Sequence, residues 1–184
     1  MDKKMVEKVL ALLTKIILAA GAIAFIIAII DVGNTLKLLF SGVKAGKSLK
    51  EINKNIGTIA EIVGIATGVL WLFRTVWVEM KKRKWPFHDW IQQLYLLLKK
   101  NHIFLGCVTL AVSFAHGLYF FLHQGKHIWV VYSGIATFLS LVVLALLGYN
   151  HQQNKTTKKN RVTKKRHMLM ALVFAILFLI HLNI

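Results

Sequence analysis

The feature of this chain that most limits its fold is a set of five long apolar runs, each close to the length of a bilayer crossing. A transmembrane helix needs about 20 mostly apolar residues, because each residue adds ~1.5 Å and the hydrocarbon layer is ~30 Å thick. The predicted spans are residues 9–30, 58–79, 103–122, 128–149 and 168–184. The sequence therefore predicts an all-α, polytopic membrane helix bundle that forms a single domain over residues 1–184.

The composition supports this fold class and excludes several others. Of the 184 residues, 57% are hydrophobic and 17% are charged, whereas a disordered basic tail would lack so much apolar surface. The net charge of +17 comes from positive residues that cluster between the apolar runs, which is the pattern of membrane topology rather than of nucleic-acid binding. Cys107 is the only cysteine, which excludes an internal disulfide framework and a Cys-rich metal site.

The distribution of Lys and Arg predicts the orientation of the spans. The N-terminus and the loops 80–102 and 150–166 carry 16 positive residues, whereas the opposite side carries 6. By the positive-inside rule, we expect a multi-pass protein of the cell membrane with a cytoplasmic N-terminus and an extracytoplasmic C-terminus. The first apolar run is longer than the roughly 7–15 residues of a signal-peptide core, so we expect it to be a retained anchor. The Lys-rich composition favours a bacterial source.

Two connecting segments have the periodicity of short interfacial amphipathic helices, in which one face is apolar and the other is polar. The first is residues 87–100, where Pro86 is well placed to begin the helix. Its apolar positions at helical spacing are Phe87, Trp90, Ile91, Leu94, Tyr95 and Leu98. The second is residues 35–56, whose apolar positions Leu36, Leu39, Phe40 and Val43 lie opposite several lysines.

Four histidines form the sharpest pattern in the chain. His102 and His116 are 14 residues apart in the third span, and His167 and His181 are 14 residues apart in the fifth. Fourteen residues of helix return to within about 40° of the same face and advance ~21 Å. The third and fifth spans run parallel, because one reversing span separates them. We therefore expect His102 to face His167 near the inner surface and His116 to face His181 in the outer half.

This geometry suits two stacked hemes, each clamped between two helices by one histidine from either side. Imidazole is a normal axial ligand of heme iron, and a buried histidine without a partner is costly in a bilayer. With both axial positions filled, the expected role is electron transfer. The alternative is that the histidines are structural or interfacial. His88 is also 14 residues before His102, so the spacing is informative mainly because it occurs on two parallel spans.

The same region resembles the ferric-reductase-like transmembrane domain, the heme-bearing half of ferric reductases, NADPH oxidases and related bacterial cytochrome b subunits. The resemblance covers residues 102–184 and rests on His102-Ile-Phe-Leu-Gly106 through His116-Gly117, on Ser133-Gly134-Ile135-Ala136, and on Lys165-Arg166-His167 through His181. It implies that His102 and His167 bind the inner heme and His116 and His181 the outer one. Members usually have six spans, whereas five are predicted for this chain.

Several other residues are weaker candidates. Arg74 lies within the second span, ~10 Å deeper than the loop that begins at Lys81, where it could pair with the inner heme propionates or extend toward the membrane surface. Glu61, near the outer end of the same span, could receive protons, bind a quinone or face the headgroups. His123 and His127 flank the short outer turn and could bind a substrate such as ferric iron or simply be polar surface.

The sequence thus predicts a b-type cytochrome with two non-covalent hemes, since no Cys-x-x-Cys-His motif for covalent attachment is present. The expected donor is a separate cytoplasmic flavoprotein reductase or quinol, and the expected acceptor is extracytoplasmic ferric iron, a flavin or a partner protein. One alternative is a quinone-reactive cytochrome b subunit of a respiratory complex, with a partner membrane subunit. A further alternative is a heme-free membrane scaffold or transporter component.

Overall fold

The structure is a computed structural model that describes residues 3–42, 46–123, 128–154 and 160–184. Within these ranges the chain is helical, without strands, and its helices are α1 Lys3–Ser41, α2 Lys47–Gly68, α3 Leu70–Lys82, α4 His88–Leu122, α5 Ile128–Gln153 and α6 Asn160–Asn183. The backbone N–H of Val69 bonds to the carbonyl of Ile65 at 2.9 Å, so α2 and α3 follow one another almost without interruption. The prediction of an all-α fold is confirmed.

Five helical stretches are long and apolar enough to cross a membrane, namely Met5–Ser41, Lys47–Lys82, His88–Leu122, Ile128–Gln153 and Asn160–Asn183. Each corresponds to one predicted span, and most extend well beyond it. The 35 residues of α4, for example, give a helix of ~52 Å, which is longer than the hydrocarbon thickness. The five apolar helices are compatible with a multi-pass membrane protein.

The two expected interfacial helices are not confirmed as separate elements. Residues 88–100 form the first part of α4, while residues 35–41 end α1 and residues 47–56 begin α2; residues 43–45 lie outside the described ranges. The amphipathic pattern correctly indicated helix, but it carries no information on where a helix ends. No Gly or Pro stands between residues 87 and 103 to interrupt α4, and its first residue follows a turn in which Phe87 has a φ of 71°.

The distribution of polar and apolar side chains is the reverse of that in a water-soluble bundle. Large aliphatic side chains of α1 and α6 are exposed on the outside of the molecule. The buried polar residues are Thr14, Asp31, Thr35, Asn53, Asn101, Thr109, Thr137, Ser140 and Thr163. Small and polar residues at helix interfaces, with apolar residues facing outward, are typical of helices packed within a bilayer.

Helix α4 is the centre of the bundle. It packs against α1, α2, α3 and α5, whereas α6 packs mainly on α5. The apolar core joins α1, α2 and α4 through Ala24, Ala28, Ile56, Val108, Val112 and Ala115. Along the α5–α6 pair, Ser133 contacts His181 and His151 contacts Thr163, so these helices are antiparallel. Because α4 and α5 also run in opposite directions, α4 and α6 are parallel, as expected from the sequence.

Candidate functional site

The four predicted histidines lie in two tiers along the facing sides of α4 and α6. In the His102 tier, the ring centroids of His102 and His167 are 6.4 Å apart and the ring planes meet at 89°. The His116 tier contains His116 and His181, which are close enough to interact electrostatically. Fourteen residues separate the tiers on each helix, a distance of ~21 Å. All four side chains are half-buried.

The spacing within the His102 tier matches that of two imidazoles on opposite sides of one metal ion. An imidazole nitrogen binds a metal at ~2 Å and lies roughly 1 Å from the ring centre, so two such rings have centroids roughly 6 to 6.5 Å apart. The observed 6.4 Å falls in this range. The side chains of this tier therefore already have the separation that ligation of a single metal requires.

On α6, both histidines are oriented by hydrogen bonds from Nδ1 to α5. The Nδ1–H of His167 donates to the carbonyl of Leu144 at 3.2 Å. Nδ1 of His181 lies 2.9 Å from Oγ of Ser133, whose hydroxyl donates to the carbonyl of Val130 at 3.0 Å. Because the serine proton is used in that bond, His181 is the donor to Ser133. Both rings thus carry their proton on Nδ1 and keep Nε2 available as a ligand.

On α4, the two histidines differ in their surroundings. The Nδ1–H of His116 donates to the carbonyl of Asn53 in α2 at 2.8 Å, which again leaves Nε2 free. Nδ1 of His102 is buried next to the backbone of Thr67 but makes no hydrogen bond of normal geometry within the described part of the chain. Three of the four imidazoles therefore have the second hydrogen bond that metal-binding histidines almost always show.

Glycines on the neighbouring helices provide the space for these three rings. A Cβ atom placed on Gly57 would lie 2.5 Å from Cε1 of His116, and on Gly134 or Gly148 it would lie 3.1 Å from Cε1 of His181 or His167, respectively. Any side chain at Gly57 would therefore displace the His116 ring. We call Gly57, Gly134 and Gly148 the glycine seats.

Each glycine seat lies one helical turn after a backbone carbonyl that supports the same histidine, either directly or, for His181, through Ser133. Asn53 precedes Gly57, Leu144 precedes Gly148 and Val130 precedes Gly134, in each case by four residues. Residues four apart lie on the same face of a helix. Because the glycine has no side chain, His116 and His167 can reach the carbonyl one turn earlier, and His181 can reach Ser133, which is bonded to that carbonyl. The resemblance included Gly134, but the sequence analysis missed Gly57 and Gly148.

A buried polar cluster next to the His116 tier was also missed. The Nδ2 group of Asn53 donates to Oδ1 of Asp31 at 3.0 Å, and Thr35 lies one turn after Asp31 on α1. All three residues are at least 97% buried. In the sequence, this cluster is indicated only by an acid directly after the first apolar run and an asparagine just before the second.

The weaker candidates have the following positions. Arg74 is exposed on α3 and Glu61 is half-buried on α2, and neither makes an ion pair with another described residue. His123 follows the last residue of α4, where its Nδ1–H bonds to the carbonyl of Tyr119 at 3.2 Å. His127 lies outside the described residues. The structure does not bring these side chains to the four histidines by any direct hydrogen bond or ion pair among the residues it describes.

Across the described ranges, no three or more His, Cys, Asp or Glu side chains come together as they would around a bare metal ion. The histidine tiers are pairs, which can hold a metal only if a further group supplies the remaining ligands. Comparisons of the chain with protein-family models, with curated proteins and with solved structures find no match.

Proposed function

We propose that this chain is a b-type, di-heme transmembrane electron-transfer protein of the ferric-reductase-like kind. The observation that carries the proposal is the 6.4 Å separation of the His102 and His167 rings, which suits one metal between them. Two histidines are sufficient for a heme iron, because the porphyrin supplies the other four ligands. A bare ion would need more protein ligands than either tier offers.

His102 and His167 would hold one heme b, and His116 and His181 the other. Heme bound there supplies reversible one-electron chemistry, and two axial imidazoles leave no position on the iron for oxygen or substrate. The hydrogen bonds to Leu144, Ser133 and Asn53 engage Nδ1 of three of the rings and leave Nε2 as the nitrogen available to the iron. Arg74 is proposed to pair with the propionates of the heme in the His102 tier.

The electrons would enter from a cytoplasmic flavoprotein reductase or quinol and leave to an extracytoplasmic acceptor such as ferric iron, a flavin or a partner protein. The orientation of the chain in this proposal rests on the excess of positive residues around the N-terminus and the loops on the same side. It places the His102 tier near the cytoplasm and the His116 tier near the outer surface. The chain would act as the membrane electron-transfer part of an oxidoreductase.

Electron transfer across vesicles tests the proposal. Purified protein is inserted into liposomes that contain ferricyanide, dithionite is added outside, and loss of ferricyanide absorbance is followed. The wild type is expected to reduce the enclosed ferricyanide, whereas His102→Ala and His116→Ala are each expected to abolish this activity. His88→Ala, a half-buried histidine outside both tiers, is the matched control. Histidine-tier variants as active as the wild type would contradict the proposal.

A further inference from the structure

One residue, Asn53, connects the His116 tier to a buried acid on another helix. Its backbone carbonyl accepts the Nδ1–H of His116 at 2.8 Å. Its side-chain Nδ2 donates to Oδ1 of Asp31 at 3.0 Å and to the carbonyl of Leu49 at 3.2 Å. Both amide hydrogens are thus engaged, which fixes the orientation of the amide group. The result is a continuous polar connection from α1 through α2 to a histidine of α4.

The cluster around Asn53 is buried and unusually rich in oxygen atoms. Asp31 is 3% exposed, and Asn53 and Thr35 are 0% exposed. Oδ2 of Asp31, Oδ1 of Asn53 and Oγ1 of Thr35 have no hydrogen-bond partner among the described residues. A buried acid within a membrane-spanning helix is costly and is therefore a candidate for a functional role. All three unpartnered atoms of the cluster are oxygens, and Asp31 is its only ionisable side chain.

The acid is close to the histidine tier without being one of its ligands. Asp31 is linked to His116 of α4 through Asn53, whose amide bonds to the acid and whose carbonyl bonds to the imidazole. Neither histidine of the His102 tier is hydrogen-bonded to an acid among the described residues, since His167 bonds to the neutral carbonyl of Leu144 and Nδ1 of His102 makes no hydrogen bond there. The two tiers are therefore electrostatically different.

We propose that Asn53 and Asp31 are positioning residues for His116, and that the Asp31 carboxylate lowers the midpoint potential of the heme in the His116 tier. This inference rests on the proposed function. An imidazole that donates from Nδ1 to an acceptor is a more basic ligand at Nε2. Oxidised iron carries one more positive charge than reduced iron, so a buried carboxylate nearby stabilises the oxidised state.

A redox titration of the holoprotein at fixed pH tests this inference. Asp31→Asn keeps the size of the side chain and one acceptor oxygen but removes the charge. The midpoint of the His116 tier is expected to shift to higher potential, while that of the His102 tier stays in place and serves as an internal control. The redox titration is expected to show two transitions, called waves here, one for each heme. Each wave is assigned to a tier by its loss in His116→Ala or in His102→Ala. Glu51→Gln, which removes an exposed acid of α2 that pairs with Lys54, is the matched control and is expected to shift neither wave.

A second measurement follows the orienting hydrogen bond itself and does not require bound heme. In protein labelled with ¹⁵N-histidine, the Nδ1–H of His116 is expected to give a slowly exchanging resonance. Asn53→Leu leaves the backbone carbonyl but removes both side-chain bonds that hold this turn of α2. Faster exchange of the His116 Nδ1–H is expected in this variant, and unchanged exchange would contradict the positioning role of Asn53.

The outcomes separate this inference from the proposed function. Two bound hemes with unchanged midpoints in Asp31→Asn would overturn the role of Asp31 and leave the electron-transfer function intact. A wild type without heme would overturn the proposed function itself. If Asp31→Asn does not accumulate in the membrane, Asp31→Ala removes the same charge. It is expected to raise the midpoint of the same wave, and an unchanged midpoint there would overturn the inference in the same way.

Discussion

At Gly57, the absence of a single side chain determines whether the His116 ring can reach its hydrogen-bond acceptor. The ring lies against the glycine Cα while its Nδ1–H bonds to the carbonyl of Asn53 one turn earlier. Gly134 and Gly148 give the same space to His181 and His167. The orientation of these three histidines thus depends on glycines, which have no side chain that could bind a ligand.

Replacing this glycine tests the arrangement directly. Gly57→Ala is expected to displace the His116 ring and weaken heme binding in the His116 tier by roughly tenfold or more, the usual effect of disturbing a ligand's support. Heme in the His102 tier is expected to remain. Gly68→Ala on the same helix is the control, since a Cβ there would meet no atom within 4 Å. The heme content of the two purified variants, measured per chain, distinguishes them.

Ser133 offers a second test at the level of one atom. Ser133→Ala removes the oxygen that accepts the Nδ1–H of His181 and leaves the ring free to rotate. Heme affinity in the His116 tier is expected to fall by about 10- to 100-fold. Ser140→Ala on the same helix removes a hydroxyl that, among the described residues, bonds to the carbonyl of Thr137, and it is expected to have no such effect. Equal heme affinity in the two variants would contradict the role assigned to Ser133.

The sequence predicts some residues of the site and not others for a physical reason. The 14-residue spacing within each histidine pair is a property of one helix, so the shared face can be worked out from the helical repeat alone. The contact of Asp31 with Asn53 and that of Gly57 with His116 join different helices. They depend on the rotation and depth at which α1, α2 and α4 pack, which no local pattern encodes.

At the level of whole helices, the sequence predicts the number and order of the spans but not their ends. Hydropathy shows where the apolar residues end. The helix itself can continue into polar residues as long as its backbone hydrogen bonds are made, so hydropathy does not show where the helix ends. Residues 88–102 of α4 show the difference, because they are polar enough to suggest a separate helix and yet contain no residue that breaks one. The same reasoning explains why α1 extends to Ser41.

Helix α6 is the element whose stability should depend most on bound heme. It packs mainly on α5, and none of its residues after Thr163 is buried, so its own packing is limited. A ligand held between α4 and α6 would stabilise the helix by binding the folded state preferentially. Amide hydrogen exchange of α6 is expected to increase when heme is depleted, with little change in α2. Equal changes in both helices would contradict a heme position between α4 and α6.

At the scale of the whole molecule, the apolar exterior and an interior of small, apolar and polar residues give a protein suited to lipid, with α4 at the centre. The proposed direction of electron flow depends on orientation, which can be measured with cysteine chemistry. In a Cys107→Ala background, Ile184→Cys is expected to react with a membrane-impermeant maleimide added to intact cells. A cysteine at Lys82, at the end of α3, is expected to react only after the membrane is opened. The reverse pattern would contradict the proposed orientation.

If each histidine tier holds one heme b, as proposed, each chain contains two hemes, and the heme stoichiometry of the purified protein measures this. The purified wild type is measured by oxidised and dithionite-reduced absorbance, and heme is counted per chain as the pyridine complex. The account predicts two b-type hemes in the wild type, and one each in His116→Ala and in His167→Ala. A wild type that contains no heme after expression with ample heme, or tier variants that retain the full wild-type content, would contradict it.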